Sequence, residues 1–309
     1  MRVFVTGASG WIGSAVVPEL LNSGHQVVGL ARSDEAAAAL SAAGVEVQRG
    51  TLDDLDALRE AASSSDAVIH LAFKHDIAFS GDFLGAAAAD RRAVEIFGEE
   101  LAGSDRPLVI ASGTLGVAPG RVATEHDAHE LDPAVVALIP EGPRTRWETS
   151  ELTLSFASKG VRSSIVRLAP TNHGDGDNGF IATLVTIARE KGVSGYIAGG
   201  ANRWPAVHRL DSAKLFRLAV ENAPAGSTLH GVGEEGIATR DIAEAIGRQL
   251  NIPVVSISPE NATEHFTWLA HFFGIDAPAS SALTQELLSW QPVQPGLIAD
   301  LDAGYYFKS

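Results

Sequence analysis

The sequence predicts an α/β protein, a doubly wound parallel sheet with a smaller C-terminal lobe. Three observations predict it. Strand-like and helix-like segments take turns through the first half of the chain; the strand-like runs are apolar throughout rather than alternating; and a glycine-rich turn joins the first strand to the first helix. Continuous apolar runs are what strands buried on both faces look like. Strand and helix in alternation imply right-handed crossovers and parallel pairing.

Taken in order, a strand at Arg2–Thr6 leads to a helix at Gly13–Ser23, then Gln26–Ala31 to Asp34–Ala43, and Val45–Gln48 to Asp53–Ala62. Next come a strand at Ala67–Leu71, a long helix at Phe83–Leu101 and a strand at Leu108–Ala111. A helix at Glu148–Ser158 and a strand at Arg162–Leu168 continue the pattern. After Pro170 the texture changes: Asn172–Gly179 is loop-like, and Gly195–Pro205 is rich in glycine with aromatics. Helices are expected at Phe180–Lys191, Asp211–Asn222, from Thr239 to about Leu250, and at Ser281–Trp290, with a short strand around Leu229. The expected division is a dinucleotide-binding domain at 1–170, joined by a return segment at about 206–232. The smaller, substrate-binding lobe takes 171–205 and 233–309 and lies over the carboxyl ends of the strands.

The strongest motif is Thr6-Gly7-Ala8-Ser9-Gly10-Trp11-Ile12-Gly13, directly after the first strand. Gly7 permits the tight turn, Gly10 lets backbone approach a pyrophosphate, and Gly13 lets helix pack on strand. The helix N-terminus then offers unpaired N–H groups and partial positive charge to phosphates, so Ser9, Trp11 and Ile12 join the glycines as cofactor contacts. The second strand ends Leu30-Ala31-Arg32-Ser33-Asp34. An acidic residue at that end would hold the ribose 2′-hydroxyl of NAD. Arg32 instead can pair with a 2′-phosphate and Ser33 can donate to it, which favours NADP(H), with NAD(H) as the alternative.

These residues resemble the extended and atypical short-chain dehydrogenases/reductases, NAD(P)-binding proteins of the epimerase/dehydratase type. The glycine motif matches the family's TGxxGxxG. Gly50-Thr51-Leu52-Asp53 resembles the segment flanking adenine, usually with an acidic residue where Thr51 stands. His70-Leu71-Ala72-Phe73 resembles the fourth-strand segment beside the nicotinamide ribose, and Val166–Pro170 the strand leading to the carboxamide. Ile110-Ala-Ser112-Gly-Thr114 resembles the end of the fifth strand, which carries the active-site hydroxyl, and Trp204–Asp211 the return segment. The resemblance implies cofactor contacts from Thr51, Leu52, Leu71, Ala72, Phe73 and Pro170, and a homodimer.

One departure matters. The family's catalytic Tyr and Lys, in YxxxK, should lie on the helix before the sixth strand, but Gly142–Glu151 contains neither. Ser112 and Thr114 remain as hydroxyls, and Arg146, with Arg144, can stabilise an oxyanion or bind a phosphate or acidic surface. Histidines titrate near neutrality and are the natural replacement acids. His75, after the fourth strand, and His173, after Pro170, are the candidates; His208 reads as structural. Phe73, Phe180, Tyr196, Trp204 and Trp147 can line an apolar pocket, while Phe266, Trp268, Phe272 and Phe273 read as core.

Composition excludes other classes. The 309 residues carry a formal net charge of −15, which repels nucleic acid and anionic membranes. There are no cysteines, hence no disulfides or thiolate metal sites. His126, Asp127, His129 and Glu130 read as a solvated loop rather than a metal site, since no helical HExxH frame is present. No apolar run spans a membrane and no secretory signal opens the chain, so a cytoplasmic protein is expected. The functional expectation is an NADP(H)-dependent oxidoreductase acting on a carbonyl, alcohol or polarised double bond of a small organic molecule. The alternatives are an epimerase, dehydratase or isomerase with tightly held nucleotide, and a non-catalytic redox sensor.

Overall fold

The structure is a computed structural model and describes residues 1–129, 136–137 and 139–308. Its strands are β1 (Arg2–Thr6), β2 (Gln26–Ala31), β3 (Glu46–Arg49), β4 (Ala67–His70), β5 (Pro107–Gly113), β6 (Arg162–Leu168), β7 (Thr171–His173), β8 (Ser194–Ile197), β9 (Arg203–His208), β10 (Ser227–Gly231), β11 (Glu234–Ala238) and β12 (Val254–Ile257). The central sheet has seven strands in the order β10-β6-β5-β4-β1-β2-β3. β1 pairs in parallel with β2 and β4, β2 with β3, and β4 with β5. The order reverses beside β1, so the loops after β1 and β4 open at the switch point where doubly wound sheets bind ligands.

The chain forms two compact units, 1–112 with 128–166 and 213–229, and 113–127 with 167–212 and 230–309. The first holds the dinucleotide-type strands. Val3, Phe4, Val5, Val68 and Ile69 are fully buried, which is why β1 and β4 show no alternation. Phe97, Leu58, Leu108 and Phe156 complete the core on one face. Each large side chain so buried contributes about 1.5–3 kcal/mol.

The second unit contains a three-stranded sheet, β11-β9-β7, and a parallel pair, β12-β8. Its core gathers Trp204, Phe266, Phe273, Ile242, Ile246 and Leu297. Trp204 meets Phe273 edge-on at 5.3 Å, and Phe180 stacks on Phe272 at 5.9 Å. Trp204 is therefore core, while Phe180 lies half-buried at the margin of the same cluster. The tail is anchored by polar contacts: the Trp290 indole N–H donates to the Asp211 carbonyl at 3.0 Å, and the amides of Val293 and Gln294 donate to the Asp211 carboxylate. Among the described residues no helix is long and apolar enough to cross a membrane.

Candidate active site

The turn after β1 is tight and glycine-built. Gly7 adopts φ +68°, in the left-handed region where a side chain is strained. A β-carbon at Gly7 would also come within 2.9 Å of the Ala72 nitrogen, and one at Gly13 would lie 2.1 Å from the Gly7 carbonyl oxygen. The Gly10 amide closes the turn on the Gly7 carbonyl at 2.9 Å. The helix Gly13–Asn22 starts without a side-chain cap and without an acidic residue in its first turn. Its positive end suits a diphosphate. Ser9 and Gly10 are exposed, and Trp11 and Ile12 half-buried around them.

At the end of β2, the Arg32 side chain is 72% exposed and pairs only loosely, at 3.3 Å, with Asp76. The Ser33 hydroxyl accepts from the Ala36 amide at 3.2 Å and so caps the helix Asp34–Ala42. Arg49, which the sequence did not single out, donates to the Ser33 carbonyl at 2.5 Å and to the Asp34 carboxylate at 2.7 Å. The Arg49 guanidinium thus lies beside Ser33, the residue after Arg32. After β3, the Thr51 amide and hydroxyl both donate to Asp54, at 2.7 and 3.0 Å, and Leu52 turns into the core. Asp53 pairs with Lys74 at 2.6 Å, which holds its carboxyl below the ordinary carboxylate range.

A chain of polar side chains runs beneath the ends of β1, β4 and β5. The Thr6 hydroxyl oxygen accepts the amides of Leu71 and Ala72, each at 3.2 Å, and lies 2.6 Å from His70 Nδ1. His70 Nε2 lies 3.1 Å from Asp90 on the helix Phe83–Leu101. Arg146, on the helix Glu141–Ser155, donates to Asp90 at 2.6 Å and to the Ala111 carbonyl at 3.0 Å. Its guanidinium lies over the Phe73 ring, 4.6 Å from the centroid. Burial works against the Asp90 charge, but Arg146 and the His70 hydrogen bond outweigh it and leave its pKa below the ordinary value. Arg146 was expected as an oxyanion stabiliser. The structure engages it with Asp90, Ala111 and Phe73, because the buried carboxylate needs a cation.

Ser112, half-buried at the end of β5, lies 3.1 Å from the Ser150 hydroxyl one helical turn after Arg146. Ser150 was not anticipated, although the Arg146–Ser150 spacing repeats that of the missing Tyr and Lys. His75 opens the short helix His75–Phe79 with its ring 5.0 Å from Phe73. One side of the ring reaches solvent. The protein crowded on the other side lowers its pKa, with the Arg146 charge adding to the effect.

Thr114 and His173 belong to the second unit. Thr114 is 1% exposed, and its amide and hydroxyl turn to the Leu168 carbonyl at 3.0 and 3.4 Å. His173 was expected on an open loop. It lies instead on β7, 1% exposed, with Nδ1 2.6 Å from Asp300, because β7 pairs with β9 and draws the ring inward. His208 reaches the same carboxylate at 3.7 Å. Pro170, just before β7, is half-buried. Tyr196 lies under Arg240, 4.9 Å from it, and in the first unit the Trp147 indole N–H donates to the Ala128 carbonyl. Asp127 pairs with Arg121 and accepts from Thr124, His129 contacts Glu151 at 3.1 Å, and His126 is exposed. Glu130 lies outside the described residues.

The model of the NAD dependent epimerase/dehydratase family matches residues 3–88. An uncharacterized protein of Schizosaccharomyces pombe is 48% identical over 308 residues, covering 99% of this chain and all of that one (100%). A 4-hydroxy-2-methyl-3-oxo-4-farnesyl-3,4-dihydroquinoline-1-oxide ketoreductase of Stigmatella aurantiaca is 26% identical over 73% of this chain and 66% of its own. Among solved structures, a dTDP-glucose 4,6-dehydratase double mutant from Streptomyces venezuelae with NAD bound superposes with a TM-score of 0.77. Identity there is 19%, with 99% of this chain and 96% of that one covered. The full-length match makes this chain one family with the uncharacterized Schizosaccharomyces pombe protein, and its first part, a Rossmann-type sheet with a glycine turn that fits a dinucleotide diphosphate, matches the NAD dependent epimerase/dehydratase family.

Proposed function

We propose that the protein is an NADP(H)-dependent oxidoreductase that reduces a carbonyl, or oxidises the corresponding alcohol, in a small organic molecule. The observation that carries the cofactor choice is the end of β2, where exposed Arg32 stands in place of an acidic residue and Arg49 lies beside Ser33. A 2′-phosphate between two guanidinium groups gains charge-assisted hydrogen bonds that a 2′-hydroxyl does not. The ketoreductase relative supports the reaction class.

The bound nicotinamide supplies or accepts the hydride. The chain's own work is to orient the substrate oxygen and handle its proton. Ser112 is the orienting hydroxyl in this reading. With Ser150 at 3.1 Å it can donate to a carbonyl oxygen or accept from an alcohol, because either hydroxyl of the pair can take the donor role. His75, in place of the missing tyrosine, takes the proton when an alcohol is oxidised, since its lowered pKa keeps it neutral at neutral pH; when a carbonyl is reduced, water supplies the proton.

Calorimetry on the purified protein tests the cofactor choice. NADPH should bind about tenfold or more tightly than NADH, the ratio expected from one charge-assisted hydrogen bond of about 1.5–3 kcal/mol. Arg32→Ala should bring the two affinities together, and equal binding by the unaltered protein overturns the NADP(H) preference. Loss of NADPH absorbance on adding aldehydes and ketones tests the reaction. The family model favours a second reading, an epimerase or dehydratase, for which substrate is converted with no net change in that absorbance.

A further inference from the structure

Arg146 is mostly covered, 24% of its side chain exposed, and its partner Asp90 is buried. Asp90 is 0% exposed, among the alanines and larger apolar residues that its helix buries. Its carboxylate joins two elements: His70 at the end of β4 on one oxygen, Arg146 of the helix Glu141–Ser155 on the other. From His70 the chain continues to Thr6, whose hydroxyl oxygen also gathers the amides of Leu71 and Ala72. Thr6 is the residue before Gly7, and Gly7 packs so closely on Ala72 that a β-carbon would not fit. From Arg146 the chain continues to the Ala111 carbonyl, next to Ser112, and to the face of Phe73.

We propose that Asp90 and Arg146 are positioning residues. The buried chain Thr6–His70–Asp90–Arg146 fixes the glycine turn, the loop after β4 and the end of β5 at one spacing, the spacing that grips the cofactor. The polarity of the chain is consistent along its length. Thr6 accepts two backbone amides and donates its own proton to His70 Nδ1, so the ring carries its proton on Nε2 and donates to Asp90. Asp90 then accepts from both sides and needs the permanent charge of Arg146 to remain ionised there. A lysine in place of Arg146 keeps the charge but cannot reach Asp90 and Ala111 together in a planar fork. The proposal rests on cofactor binding at the glycine turn and does not depend on whether NADP or NAD is preferred.

The test measures NADPH and NADH dissociation constants by calorimetry, with the unfolding midpoint of each variant recorded alongside. Asp90→Asn keeps the shape and the His70 contact but turns an N–H₂ toward Arg146. Arg146→Lys and Arg146→Met remove the fork with and without the charge. Each is expected to weaken both dinucleotides alike, by about fivefold or more, the low end of couplings between separate sites. The paired change Asp90→Leu with Arg146→Met removes both charges, and it is expected to weaken binding by no more than the worse single change, since the pair acts as one unit. Apolar replacement of a buried ion pair commonly leaves a protein folded, so this variant keeps the test open if a single change does not fold. A pair that only stabilised the fold would lower the midpoint and leave the dissociation constants of the folded protein within about twofold of normal, and that result overturns the proposal. Arg32→Ala, by contrast, alters the ratio of the two dinucleotides, so failure of the NADP(H) reading and failure of the positioning role give different results.

Discussion

Each unit of the chain holds a buried carboxylate between two side chains, Asp90 in the first and Asp300 in the second, and the two differ in what balances the charge. In the first unit, Asp90 lies between His70 and Arg146, with the guanidinium at 2.6 Å. In the second, Asp300 is 4% exposed and lies between two imidazoles, His173 at 2.6 Å and His208 at 3.7 Å. An arginine stays charged at every pH a protein survives; an imidazole does not. The Asp90 cluster is therefore a fixed brace, whereas beside Asp300 stands His208, whose pKa burial lowers and whose charge follows pH. In the positioning role proposed for it, Asp90 has reason to be of the first kind, because a brace paired with arginine does not change with proton concentration.

Removing each carboxylate should separate the two. Asp90→Ala leaves Arg146 without its buried partner and is expected to cost about 3–5 kcal/mol of unfolding free energy, as for other broken buried pairs. Asp300→Ala leaves the His173 ring without its hydrogen-bond partner and should cost less, about 1–3 kcal/mol. Chemical denaturation of both variants measures this, and equal losses would erase the distinction between brace and titratable cluster.

Acid should then act on the second unit. Burial lowers the pKa of His208 and of His230, in each case against nearby carboxylates that pull it upward. A histidine with a lowered folded pKa takes up its proton later than it does in the unfolded chain. Stability is thus unaffected above the ordinary value of 6.5 and declines as pH falls through it toward the lowered value. Each such histidine can contribute up to about 1.4 kcal/mol per pH unit in that window. The unfolding midpoint should drop between neutral and mildly acidic pH, and His230→Asn should flatten the decline. A midpoint that rose on acidification would reverse the sign of this account.

The two units also differ in how much of them the sequence discloses. β1, β2 and β4 are visible because both faces are buried and the residues are apolar throughout. The small sheets of the second unit are not. β8 is Ser-Gly-Tyr-Ile and β11 Glu-Glu-Gly-Ile-Ala, short runs with a glycine and no period to read. The helix expected from Glu148 begins at Glu141, because Pro143 falls in its first turn, where an amide would have no partner and its loss costs nothing. Among site residues, the glycine turn is local in sequence and Arg32 follows from its place after β2. Asp90 is not legible: it stands in an alanine-rich helix, and its partners lie 20 and 56 residues away. His173 is visible as a histidine, but its burial depends on β7 pairing with β9 and on Asp300, 127 residues further on.

The exposed pair Arg32–Asp76 sharpens the contrast from the other end. Its side chains are 72% and 61% exposed and 3.3 Å apart, so water screens the attraction and either partner exchanges readily. Asp76→Asn should leave the unfolding midpoint essentially where it is. For the cofactor the same change matters, because in the NADP(H) reading Asp76 competes with a 2′-phosphate for Arg32. Releasing Arg32 from this screened contact should tighten NADPH by up to about fivefold and leave NADH unmoved. If Asp76→Asn shifts both dinucleotides equally, Asp76 is not competing at the phosphate, and Arg32 meets the adenosine in some other way. Where Asp90 fixes a cation in place, Asp76 only holds one until a stronger anion arrives.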